Sequence, residues 1–300
     1  MNEYTELLIK INPDIEDIMS EICFENFPCE GVILAEETYK DLEMTSTTQG
    51  TLKVFLTENI QTEQVKRILD EQRSLLKSRG LTDNELGSWD FELTSKPNED
   101  WSKKWKEKWD ITRVTDKIVI VPDWLEYADK KDEVVIRLEP GCAFGTGTHQ
   151  TTQLCMKAIE KYLKPDFQMA DIGMGSGILA ICAKKFGAKF VYGCDNDETV
   201  IDVAIENAHK NGINKDFKFE LNTADKINDK FDFVCANILH NVLSDIMGDL
   251  KNIMNSGAIM VLSGILDEKK QIVLNAIKKH NLELIEETPQ NQWVALIVKK

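Results

Sequence analysis

Histidine is scarce in this chain, with four in 300 residues and none in an H-E-x-x-H spacing. The seven cysteines (Cys23, Cys29, Cys142, Cys155, Cys182, Cys194 and Cys235) are odd in number and form no C-x-x-C pair. Without those ligand spacings no metal site is expected, and without paired cysteines no disulfide framework; thiols in apolar segments read as reduced core residues. No apolar run approaches the roughly 18 residues of a membrane span, and the opening Met1-Asn2-Glu3-Tyr4 has neither a basic nor an apolar leader character. A cytoplasmic protein, with no membrane partner, is expected. Positive charge is also short, with 36 Lys and Arg against 51 Asp and Glu and a net charge of −15. Such a balance repels phosphate backbones and disfavours direct nucleic-acid binding.

The deficit is unevenly placed. Residues 1 to 100 hold 22 acids against 9 bases, so nearly all the excess acid sits in the first third. A surface of that kind attracts a basic partner if its charges face outward together, or serves only solubility. At 42% hydrophobic and 29% charged, the composition is that of a soluble globular chain of one large or two ordinary domains.

The first third alternates short periodic segments. Strands are expected over Tyr4–Ile11, Gly31–Glu36, Thr51–Thr57 and Ser88–Leu93, with helices over Ile15–Phe24 and Thr62–Ser78. The order βαββαβ is that of a ferredoxin-like sandwich, assigned to residues 1–95. Lys96-Pro97-Asn98 breaks the pattern, and a helical linker follows over 96–112. Its Trp101, Trp105 and Trp109 recur every four residues, a packing stripe or a stacking surface. Beyond it, residues 113–300 open with an expected hairpin, Lys117–Pro122 against Glu133–Leu138. Strands and helices then alternate through Gln168–Ile172, Phe190–Cys194, Phe217–Leu221, Phe231–Ala236, Ala258–Ser263, Leu282–Glu286 and Gln292–Val298, the last two joined by a Pro289-Gln290-Asn291 turn. Six strands linked by helices plus a final hairpin strand predict a Rossmann-like α/β sheet of seven strands, mostly parallel with the last strand antiparallel, as in class I methyltransferases.

The most telling stretch is Met169–Asp195. An apolar strand ends near Asp171, Gly173, Gly175 and Gly177 alternate through the turn, a helix follows, and a second strand ends in Asp195, 22 residues past Gly173. Glycines let a ligand approach bare backbone, and an acid about 20 residues on suits a ribose diol. A dinucleotide wants G-x-G-x-x-G, but Ile178 stands where the third glycine would fall. Asp171 beside the loop would repel a pyrophosphate and suits a ligand carrying an ammonium and a sulfonium. S-adenosylmethionine therefore fits better than NAD.

Two other segments join it. Ala143 to Thr152 reads Ala-Phe144-Gly145-Thr-Gly-Thr-His149-Gln-Thr151-Thr152, offering free N–H groups and hydroxyls to a carboxylate, with Phe144 placed to cover an apolar part of the cofactor. The strand Phe231–Ala236 runs into Asn237-Ile238-Leu239-His240. Asn237 can accept from an amine nucleophile and donate to a cofactor, or serve as a helix N-cap. His240 reads as a surface or capping residue, and Asp225 as an adenine contact or an ordinary loop acid.

Together, A-F-G-T-G-T-H-x-T-T from Ala143, D-I-G-x-G-S-G-I-L-A-I from Asp171, A-N-I-L from Ala236 and L-S-G-I-L from Leu262 resemble the methyltransferase family acting on large-subunit ribosomal protein L-eleven. D-W-x-x-x-W from Asp100 resembles that family's linker, and the acidic βαββαβ region its substrate-recognition domain in kind. Glu139 stands where that family usually has Asp, and Met174 where Cys is common. The resemblance implies a protein N-methyltransferase using S-adenosylmethionine on lysine ε-amines, and often the N-terminal α-amine, of a basic ribosomal protein. A lysine methyltransferase with another protein substrate would share the same catalytic domain. It places cofactor contacts at Thr152, Gly173, Asp195 and Asn237, beside the expected Phe144, Gly145, Asp171 and Gly175, with Asn237 also aligning the amine.

Overall fold

A computed structural model of the protein describes residues 3–35, 50–56, 58, 60–97, 110–138 and 147–300. The chain divides into two compact units, Met1–Trp109 and Asp110–Lys300.

The first unit runs β1 (Glu3–Ile11), α1 (Glu16–Asn26), β2 (Cys29–Ala35), β3 (Gly50–Leu56), α2 (Thr62–Ser78), α3 (Asp83–Leu86) and β4 (Phe91–Pro97). Its antiparallel sheet has the order β2-β3-β1-β4, the expected βαββαβ arrangement. Leu7, Ile9 and Ile11 alternate along β1 and are fully buried. Leu7 pairs with Val54 and Ile9 with Leu52, so one face of β1 and β3 forms a continuous apolar layer. Met19 and Cys23 from α1 and Val65, Leu69 and Leu76 from α2 are buried at helical spacing. β4 begins at Phe91 rather than at Ser88, because Trp89 takes a left-handed φ of 62°. Its N–H donates to Lys10 and its ring Nε1 to Leu86, so the chain turns there before it can pair as a strand. The short α3 is set by a Thr82–Glu85 capping box. The tryptophans of the expected linker lie outside the described residues.

The second unit opens with β5 (Thr112–Arg113), β6 (Ile118–Pro122) and β7 (Val134–Leu138). The expected β6–β7 hairpin is incorrect: β6 pairs antiparallel with β5 but parallel with β7. The link over residues 123–133 is long enough to carry the chain back to the start of β6, which no tight hairpin turn does. There follow α4 (Gln150–Tyr162), β8 (Gln168–Ile172), α5 (Ile178–Lys185), β9 (Phe190–Asp195), α6 (Thr199–Lys210), β10 (Phe217–Leu221), β11 (Phe231–Asn237), α7 (His240–Asp245), α8 (Met247–Asn252), β12 (Met254–Leu266), α9 (Lys270–Lys279), β13 (Glu283–Gln290) and β14 (Trp293–Lys299). The sheet order is β10-β9-β8-β11-β12-β14-β13. All neighbours are parallel except β14, which runs antiparallel to β12 and β13. This is the expected class I methyltransferase sheet. β12 runs longer at both ends than the expected Ala258–Ser263, and the last turn differs: Pro289 and Gln290 belong to β13, and Asn291 makes the corner with a φ of 53°.

Strand alternation builds a core on each face. Phe233 and Cys235 of β11 join Leu154, Cys155, Ile178, Ile181 and Ala204 from α4, α5 and α6. Val234 and Ala236 join Leu243, Met247, Leu250 and Val273 from α7, α8 and α9. From β8 the chain winds outward to β9 and β10, then returns to lay β11 on the other side. The strand order therefore reverses between β8 and β11, which opens a crevice at their carboxyl ends.

Candidate functional site

Asp171 and Asn237 flank that reversal. Asp171 pairs in register with Gly193 of β9 and Cys235 of β11, and Asn237 lies two residues past Cys235, on the same face. The glycine turn after β8 is held against β9: Gly173 and Met174 donate to the Cys194 carbonyl at 2.9 and 3.1 Å. Gly173 takes a φ of 71°, and a Cβ there would sit 2.5 Å from Ile238 Cγ2. Gly264 of β12, at φ 79°, presses on Ile238 from elsewhere, with a Cβ position 2.4 Å from the Ile238 carbonyl. Ile238 thus fills space that only glycines leave, and it directly follows Asn237.

Asp195 ends β9. Its Oδ2 accepts from Gly175 N–H at 3.0 Å and its Oδ1 from Asp197 N–H at 3.2 Å, so the glycine loop and the second acid are one hydrogen-bonded unit. Burial raises its carboxyl above the usual range, against the N–H bonds from Gly175, Asp197 and Asn196. Each carboxylate oxygen keeps a second lone pair for a diol. Asp171 is 1% exposed. Its Oδ2 accepts from Ala180 N–H at 3.2 Å, while Oδ1 is buried with no partner among the described residues.

Asn237 is also buried. Its Nδ2 donates to Thr152 Oγ1 at 3.4 Å, and its Oδ1 is buried without a partner among the described residues. It is not a helix cap: α7 starts at His240 after Leu239, with no side-chain cap bond. Thr152 comes from the first turn of α4, which is capped by His149, whose Nδ1 accepts from Thr151 N–H at 3.3 Å and whose ring meets Trp293 edge-on at 5.1 Å. Ser263 Oγ donates to the Thr151 carbonyl at 3.1 Å from β12. This buried Ser263 was not singled out from the sequence as a support of the site, although a hydroxyl directly after the apolar run Met260–Leu262 needs a partner when buried. His240 is 4% exposed, which corrects the surface reading: α7 lies on the sheet and turns its first residue inward. Asp225 sits exposed in a short 3-10 turn. Phe144 and Gly145 lie outside the described residues. Among the described residues no group of three His, Cys, Asp and Glu side chains is placed to hold a metal.

S-adenosylmethionine asks for acceptors near two cations and for a carboxylate near its ribose. Two buried oxygens without partners, Asp171 Oδ1 and Asn237 Oδ1, and a strand-end acid at Asp195 fit that pattern. Of the residues expected to hold the donor, Asp171, Gly173, Gly175, Asp195 and Asn237 lie at the carboxyl ends of β8, β9 and β11, and Thr152 is bonded to Asn237.

Residues 3–300 match the family described as Ribosomal protein L11 methyltransferase (PrmA). A protein named ribosomal protein L11 methyltransferase from Caldicellulosiruptor bescii is 33% identical over 308 residues, covering 98% of each chain. One of the same name from Caldicellulosiruptor saccharolyticus is 38% identical over 215 residues, 72% of this chain and 70% of that protein. The crystal structure of a ribosomal protein L11 methylase from Lactobacillus delbrueckii subsp. bulgaricus superposes with a TM-score of 0.60 at 34% identity, covering 63% of this chain and 98% of that one. A match from the first described strand to the last residue, on the sheet and crevice described above, means that this chain belongs to the ribosomal protein L11 methyltransferase family.

Proposed function

We propose that this methyltransferase transfers methyl groups to lysine ε-amines, and to the N-terminal α-amine, of large-subunit ribosomal protein L11. In this reading its acidic first unit receives the basic substrate. The observation that carries the reading is Asn237 Oδ1, a buried acceptor with no partner among the described residues, beside Thr152 at the strand reversal. An amine N–H donated to that oxygen is held with its lone pair free. When bound, S-adenosylmethionine supplies an already activated methyl, so the protein's work is alignment and neutralisation of the amine.

Neutralising a lysine of ordinary pKa at pH 7 costs about 4 to 5 kcal/mol. Desolvation of the amine on binding, together with the nearby sulfonium, lowers that cost by disfavouring the charged amine. Asn237 then orients the neutral nitrogen, with Thr152 fixing the amide. No strong base is required.

The substrate assignment rests on the family match and on the excess acid of residues 1–100. It also implies a cytoplasmic setting without direct nucleic-acid binding; no described helix is long and apolar enough to cross a membrane. Incubating the protein with methyl-labelled S-adenosylmethionine and purified ribosomal protein L11, then locating labelled residues by mass spectrometry, tests it. Label on lysines and the N-terminus is expected. Label on another protein of a cell lysate, with none on ribosomal protein L11, favours a lysine methyltransferase of different specificity.

A further inference from the structure

Asp171 sits at the strand reversal as a buried acid that lacks a countercharge among the described residues. It is 1% exposed and receives a hydrogen bond from Ala180 N–H, while Oδ1 has none among the described residues. The elements packed around it bring no cation among the described residues. β9 brings Gly193 opposite, then Cys194 and Asp195. β11 brings Cys235, which meets Cys155 of α4. The first six residues of α5, Ile178 to Ala183, are apolar apart from the Cys182 thiol. The charged group that bears on Asp171 is another acid, Asp195, whose own neighbour is Asp197.

An ionised carboxylate in such a place has lost its water and faces a like charge, so the neutral form is favoured. Burial, helped by Asp195 and opposed by the Ala180 N–H, holds the carboxyl up to about 8. A cation placed against Oδ1 reverses that preference.

We propose that Asp171 makes the donor site selective for cationic ligands through a proton. It is protonated while no cation lies beside it, and gives its proton to solvent when S-adenosylmethionine brings its ammonium and sulfonium into the crevice. This rests on the glycine loop being the methyl-donor site. A ligand with the same adenosine body but no positive charge finds a neutral carboxyl and displaces nothing. Donor affinity therefore rises with pH through the neutral range toward about 8, above which the ligand's own α-amine loses its charge and affinity falls again.

The test is calorimetry on the full chain at pH 6.5, in two buffers of different ionisation enthalpy. At that pH the ligand's own α-amine, which titrates near about 8, already carries its proton. Binding of S-adenosylmethionine to the wild type is expected to release close to one proton, whereas Asp171→Asn or adenosine in place of the donor releases none. Donor binding with the same heat in both buffers overturns the proposal and leaves the donor site standing. Absence of donor binding overturns both. If Asp171→Asn does not fold, carboxyl carbon-13 NMR of wild type labelled at aspartate decides: a buried aspartate resonance that titrates near neutral pH without donor and moves to the ionised position with it is expected. A carboxyl already ionised at pH 6.5 without donor refutes the idea.

Discussion

Asn237 donates from Nδ2 to Thr152 Oγ1 at 3.4 Å, and this bond leaves Asn237 Oδ1 buried with no partner among the described residues. One side chain is thus fixed by half of its amide and available by the other half. β11 delivers the amide, and the first turn of α4 holds it.

Asn237→Ala removes the available half together with the fixed half. Methylation at saturating donor is expected to fall at least tenfold, about 1.4 kcal/mol, and by more than donor binding weakens, because amine alignment matters most in the transition state. Single-turnover rates compared with donor Kd measure both.

Asp195→Ala removes a carboxylate that accepts from two backbone N–H groups and is proposed to hold the ribose. Donor binding is expected to weaken by roughly 2 kcal/mol or more, about 30-fold in Kd, as for a lost charge-assisted bond. Calorimetry on the folded variant decides it, and unchanged affinity would show that the ribose is held elsewhere.

Gly173→Ala places a methyl 2.5 Å from Ile238 Cγ2 at a φ of 71°. A loss of about 1 to 3 kcal/mol in stability is expected from the left-handed backbone and the clash. Donor affinity should fall as well, since the loop cannot keep its distance from Asn237. Denaturant unfolding and donor titration on the same sample separate the two effects.

Glu133 is held down to about 2 by Tyr127 O–H and Arg113, with Lys130 N–H also donating. Its folded value lies below its unfolded one, so it contributes stability above about pH 4.5 that is lost as pH falls toward 2. The stability gap between wild type and Glu133→Gln should therefore narrow across that window in acid denaturation. A gap that stays constant down to pH 2 contradicts the assignment.

The acidic first unit predicts a salt effect. Affinity for ribosomal protein L11 should drop as salt rises from about 0.05 to 0.5 M, because surface attraction is screened over a Debye length of about 10 Å at 0.1 M. A fragment spanning Asp110–Lys300, which has its own sheets and cores, should bind donor and lose protein methylation. Methylation by that fragment at the full-length rate would remove the first unit from recognition.

The two sheets were legible because their strands carry period-two patterns and short polar breaks, as in Leu7-Ile9-Ile11 and Val234-Ala236. Strand direction is not written in that pattern. β6 and β7 read the same whether parallel or antiparallel, and only the length of residues 123–133 hinted that the chain returns. The acids at the ends of β8 and β9 were visible because the glycine loop sets their spacing, whereas Ser263 and the buried His240 were not. Their roles depend on which element packs over them, and a single polar residue in an apolar run does not disclose its partner.

Ile238 ties two distant substitutions together. Gly173 follows β8 and Gly264 lies in β12, yet both leave their missing side chains' room to Ile238. Changes at these two glycines should be non-additive in stability and in rate, since whichever comes first moves the same residue. Drift at either position is then constrained by the other, and the neighbour they jointly restrain is the asparagine assigned to the chemistry.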